Sequence, residues 1–188
     1  MGSVLSDEKS ITAILKFWFE ETSPETWFKK DALFDDMLMQ KFGRLVEQAL
    51  AGQLDRWAQK KDGRLALILL LDQMARNIYR DTPKAFAGDE IACALSLRSS
   101  ADGTVEAETD INKRQFFLMP MMHSEDLEIQ KQSLPLFKTL TSDSTYDYAI
   151  RHHYIIERFG RFPHRNKILK RPSSEKEIAF LSQPGSSF

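Results

Sequence analysis

One cysteine in 188 residues, Cys93, excludes an internal disulfide framework and makes a reducing cytoplasm the compartment the chain suits. Only three valines occur and no segment alternates apolar and polar residues for the length of a strand, which argues against a sheet. The longest unbroken apolar run, Leu65 to Leu71, falls far short of the ~20 residues of a membrane span. Charge of either sign is also missing in excess. With 26 Lys and Arg against 27 Asp and Glu, the net charge of -1 supplies no broad basic field for nucleic acid or an anionic membrane, so any anion site has to be local. There is no glycine-rich phosphate loop, no cysteine pair and no Gly-x-Ser-x-Gly elbow, which leaves nucleotide binding and acyl-enzyme chemistry unsupported. The opening Met1 to Ser6 fits the loose N-myristoylation pattern, but Ser6 is equally explained as a helix N-cap.

What the chain has is helical period. Ile11, Ile14, Leu15 and Trp18 fall at i, i+3, i+4 and i+7, and Phe34, Leu38, Phe42, Leu45 and Ala49 repeat the pattern. The spacing predicts helices over 7–20, 31–51, 63–80, 84–99, 110–118, 125–140, 145–160 and 174–182, with Pro135 kinking the sixth and a polar loop at 99–104. Ser23-Pro24 and Thr82-Pro83 read as helix starts, Gly52 and Gly160 as helix ends, and Ser174 with Glu177 as a capping box. The expected fold is all-α, a stack of antiparallel helix pairs in a single domain over 1–188, with a weak sub-boundary near residue 100. The apolar neighbours of Cys93 place it in a packed helix face as an inert thiol.

Four polar clusters stand out against this background. At 100° per residue, Asp72, Gln73, Arg76, Asn77 and Arg80 share an arc of about 140° that is apolar one or two turns earlier, at Leu65, Ala66, Leu69 and Leu70. A solvated exit face with an Asp72–Arg76 pair is one reading, and a directional donor set for a ligand or buried network is the other. His152 lies within the apolar stripe of Tyr148, Ile155, Ile156 and Phe159, with His153 and Glu157 at the border. The run Arg158-Phe159-Gly160-Arg161-Phe162-Pro163-His164-Arg165-Asn166 gathers three further arginines, a histidine and an asparagine at a helix end, as carbonyl caps or as an anion-binding corner. In His123-Ser124-Glu125-Asp126, Ser124 reads as the N-cap and His123 is left over to meet a neighbouring helix.

These residues, together with Phe17-Trp18-Phe19, Ala85-Phe86-Ala87 with Asp89, and Pro120, resemble the bacterial domain-of-unknown-function family numbered 924, from about residue 11 to 182. The resemblance implies one helical domain with a tetratricopeptide-like stack and no established activity. Met121-Met122 stand where the family tends to carry Leu and Glu.

Three functions compete. The first is a binding module whose pocket meets a small anionic molecule or a carboxylate-bearing peptide through Asp72, Gln73, Arg76, Asn77, Arg80, His123, Glu125, His152, Arg158, Arg161, His164, Arg165 and Asn166, with no cofactor. The second is a scaffold offering a concave helical surface to a protein partner. The third is a metal-assisted hydrolase resting on His123-x-Glu125 and His153-x-x-x-Glu157. Its spacing is poor, because the adjacent His152 and His153 diverge by 100°.

Overall fold

A computed structural model of the chain describes residues 2–186, with side chains from Asp7 onward; the Ser6 cap and the pattern at Met1 to Ser6 lie outside the described side chains. Every expected helical segment forms, and no strand occurs among the described residues. In order the helices are α1 (Gly2–Lys16), α2 (Pro24–Trp27), α3 (Ala32–Leu50), α4 (Lys61–Ile68), α5 (Ala75–Ile78), α6 (Asp89–Ala101), α7 (Thr104–Ala107), α8 (Ile111–Met122), α9 (Leu127–Leu140), α10 (Asp143–Phe159) and α11 (Glu175–Leu181). α3 shows how the period becomes a fold. Asp31 accepts the backbone N–H groups of Leu33 and Phe34, and Phe34, Leu38, Phe42, Val46 and Ala49 form its buried stripe.

The predicted helix over 63–80 is not regular. α4 runs into a π-helical turn, Leu69–Met74, before resuming as α5, so the widened turn carries Asp72 and Gln73. Residues 65–71 are all buried, and they make this rod the axis of the core. Around it α1, α3, α6 and α8 pack, while α8, α9 and α10 follow one another through short connections and pack side by side. One hydrophobic cluster spans Ile14 to Ala149, and a smaller one joins Ile155, Ile156, Phe162 and Phe180 beneath the last helix.

Several local expectations are corrected. The expected loop at 99–104 is mostly helix, because Gly103 alone takes the left-handed backbone (φ 76°) that ends α6 and starts α7. Core residues from both sides of residue 100 share the main cluster. Residues 83–86 form a separate 3-10 turn, and the following helix starts at Asp89. α8 continues through Pro120 to Met122. The N-cap of α9 is Asp126, whose carboxylate accepts from Glu128 and Ile129 N–H, not Ser124. Gly160 ends α10 at φ 68°, and the Ser174–Glu177 capping box is present in both directions.

Candidate functional site

Asp72 sits on the π-helical turn with no solvent exposure. Its Oδ1 meets Nδ1 of His123 at 2.6 Å and accepts from Nη2 of Arg76 at 3.3 Å, while its Oδ2 accepts from the Gln73 amide. Burial alone would raise the Asp72 pKa, but the charges and hydrogen bonds of His123 and Arg76, with the Gln73 bond, outweigh it and hold the carboxyl below its ordinary range. The solvated-face reading of this cluster therefore fails: Asp72, Gln73 and Asn77 are all buried.

Arg76 reaches on to Asp89, at 2.8 Å, and the other oxygen of Asp89 accepts from Nη1 of Arg165 at 2.9 Å. Asp89 thus ties the π-helical rod to the turn after Gly160, across 76 positions of sequence. Arg165 also donates to the carbonyl of His123 at 3.0 Å and lies against the rings of Phe86 and Phe162, 4.7 and 4.6 Å from their centroids. Burial and the neighbouring Arg76 lower its pKa to about 10, which still leaves it charged at neutral pH. Arg80 donates both ways to Asp35, at 2.7 and 2.8 Å, and to the Asn77 side chain at 2.8 Å.

These groups form part of the wall of a cavity of about 670 Å³. Gln73, Arg76, Asn77, Arg80, His123, His152, His164 and Arg165 line it, and Asp72 lies behind the lining as their counter-charge. All three lining histidines are held below the usual imidazole pKa, with burial the largest cause in each. For His123 the charges of Arg76 and Arg165 add to it, and for His164, at about 3, Arg165 does. His152 is fixed by its Nδ1 against the Tyr148 carbonyl at 2.8 Å, and its ring centroid is 5.9 Å from that of His123.

The remaining expected residues lie elsewhere. Glu125 is gripped by Arg171, at 2.7 and 2.9 Å, and accepts the Phe162 N–H. Arg161 forms a two-pronged pair with Glu177 at 2.7 and 2.9 Å. Asn166 bridges Ser173, Glu177 and Arg171. Arg158 covers the rings of Phe159 and Phe180 on a separate groove. Glu125, Arg161 and Asn166 thus bind the C-terminal segment to the bundle and do not line the cavity. Of the ligands the metal reading rested on, Glu125 is committed to Arg171, and no group of three His, Cys, Asp or Glu is placed to hold an ion among the described residues.

Much of the lining carries no signal in the sequence. Trp27, Phe28, Met119, Met122 and Tyr148 supply apolar wall, and Asn112, Gln115, Ser142 and Thr145 supply polar wall. Asp89, which joins the two arginines, appeared only as part of the family resemblance. Its signal was an acid in the first turn of α6, which a helix dipole already explains.

Fold and cavity together define a class, an all-helical protein with a central π-helical rod and an Arg/His-lined cavity. The family described as bacterial protein of unknown function (DUF924) matches residues 14–185, and the chain belongs to that family. A solved structure of a protein of unknown function, ATU0120 from Agrobacterium tumefaciens, is similar at 35% identity with a TM-score of 0.85, covering 92% of this chain and 96% of that one. No curated protein matches. No helix among the described residues is long and apolar enough to cross a membrane.

Proposed function

We propose that the cavity binds a small molecule carrying one carboxylate on an apolar body. The observation that carries this reading is the meeting of Arg76 and Arg165, from segments far apart in sequence, over Asp89 in the cavity wall. Guanidinium groups held in place by buried acids offer directional donors without the cost of ordering a mobile side chain.

The charge balance of the lining narrows the ligand. Lys29, Arg76, Arg80 and Arg165 line the cavity, and Asp35, Asp72 and Asp89 pair with the three arginines. With the histidines neutral, the Lys29 charge at the rim remains. That balance favours a monoanion over a phosphate dianion, whose second charge would be desolvated without compensation. Trp27, Phe28, Met119, Met122 and Tyr148 provide apolar surface for the rest of the ligand, Phe28 being 63% and Tyr148 51% exposed.

Calorimetric titration and thermal melts with 3-phenylpropionate, its amide and inorganic phosphate test the reading. The acid binds and raises the melting temperature, and the amide and phosphate do not. Equal shifts from acid and amide, or no shift from the acid, would reject it.

A further inference from the structure

We propose that Asp72 and His123 form a general-base dyad and that the cavity hydrolyses a carboxylate-bearing ester, an activity that rests on the anion-binding reading above. His123 lines the cavity, with its Nδ1 turned inward to Asp72 at 2.6 Å. Nδ1 carries the ring proton of the neutral form, because the ionised carboxylate beside it can only accept. Nε2 has no hydrogen-bond partner among the described residues and belongs to a side chain that is 16% exposed and lines the cavity.

Three further features fit a base rather than a structural hydrogen bond. Asp72 stands on a π-helical turn, a costly irregularity that recurs at functional sites. A fully buried carboxylate is an expensive way to fix a ring that a neutral amide could fix as well, whereas a carboxylate also stabilises the imidazolium formed when Nε2 takes a proton. His123 is the C-terminal cap of α8, where the helix dipole favours that same imidazolium. The groups facing the ring are Asp72, Arg76, Arg165, His152 and His164. Burial, with the charges of Arg76 and Arg165 added to it, keeps the ring unprotonated at rest, and the ionised Asp72 stabilises the imidazolium formed during reaction.

In the step, Nε2 takes a proton from a water molecule as the water oxygen bonds to the ester carbonyl carbon and the carbonyl π pair moves onto its oxygen. Collapse of that intermediate breaks the bond to the leaving oxygen, which departs with the electron pair and receives the proton from Nε2. One ester and one water become one acid and one alcohol. Asp72 stays ionised throughout and acts as a positioning residue.

Mono-4-nitrophenyl glutarate serves as the test substrate. The parent protein hydrolyses it above the buffer rate, and 3-phenylpropionate inhibits. His123→Gln lowers kcat/KM by about 10²-fold or more while still binding 3-phenylpropionate. Long-range ¹H–¹⁵N spectra of the parent at pH 7 show His123 protonated on Nδ1 and bare on Nε2, and Asp72→Asn shifts that proton and alters the pH profile of kcat. The dyad is overturned if 3-phenylpropionate binds but the ester turns over only at the buffer rate, if His123→Gln matches the parent, or if Nε2 carries the proton. Turnover dependent on His123 without carboxylate binding would instead overturn the anion reading and leave the base standing.

Discussion

Replacing Asp89 with alanine strikes a group that holds two guanidiniums at once. Arg76 keeps Asp72 as a partner at 3.3 Å, but Arg165, only 5% exposed, is left with the His123 carbonyl as its remaining acceptor. Removing one member of a buried charge pair costs about 3–5 kcal/mol, since the other charge stays desolvated. For a chain of this size each kcal/mol moves the midpoint by roughly 2–4 °C, so the melting temperature of Asp89→Ala falls by about 6–20 °C. Asp89→Asn retains one acceptor oxygen and falls less. Urea denaturation gives the free energy directly, and a cycle with Arg165→Ala measures the coupling, expected at about 1–3 kcal/mol. A midpoint within 2 °C of the parent for Asp89→Ala, or a coupling near zero, would show that the bridge contributes nothing and that the two arms of the site are held by packing alone.

Burial raises the Cys93 thiol pKa to about 11, so the native protein reacts slowly with a thiol reagent and the urea-unfolded protein reacts at once; rapid native labelling would contradict the burial. Glu177 is lowered from 4.5 to about 2, chiefly by its bond to Arg161, so its stabilising contribution is complete above pH 4.5 and is lost as the pH falls toward 2. Glu177→Gln therefore flattens the loss of stability over that window, and an unchanged acid limb in denaturation curves would contradict it. A Cβ at Gly88 would come within 2.5 Å of the Leu71 carbonyl in the π-helical turn, so Gly88→Ala costs about 1–3 kcal/mol in urea denaturation, and a neutral effect would mean that the turn yields freely.

The sequence alone determined the helical class, most helix ends and the face that the segment 63–80 turns inward. Those features are local: apolar period, the left-handed glycine after Phe159 and the Ser174–Glu177 box each act within a turn or two of chain. It also marked His152 and the Asp72 to Arg80 arc as polar groups carried into a core. Tertiary structure decided which of those groups share a cavity. In the run 161–166, Arg165 turns to Asp89 while Arg161 and Asn166 turn to Glu177, and Glu125 leaves its neighbour His123 for Arg171. Each choice joins a polar or charged group to a partner 11 to 76 positions away, and a period of 3.6 residues holds no record of a pairing at that distance. The π-helical turn was equally invisible, because its widening responds to what packs around Leu69 to Met74, such as the backbone of Gly88 against Leu71.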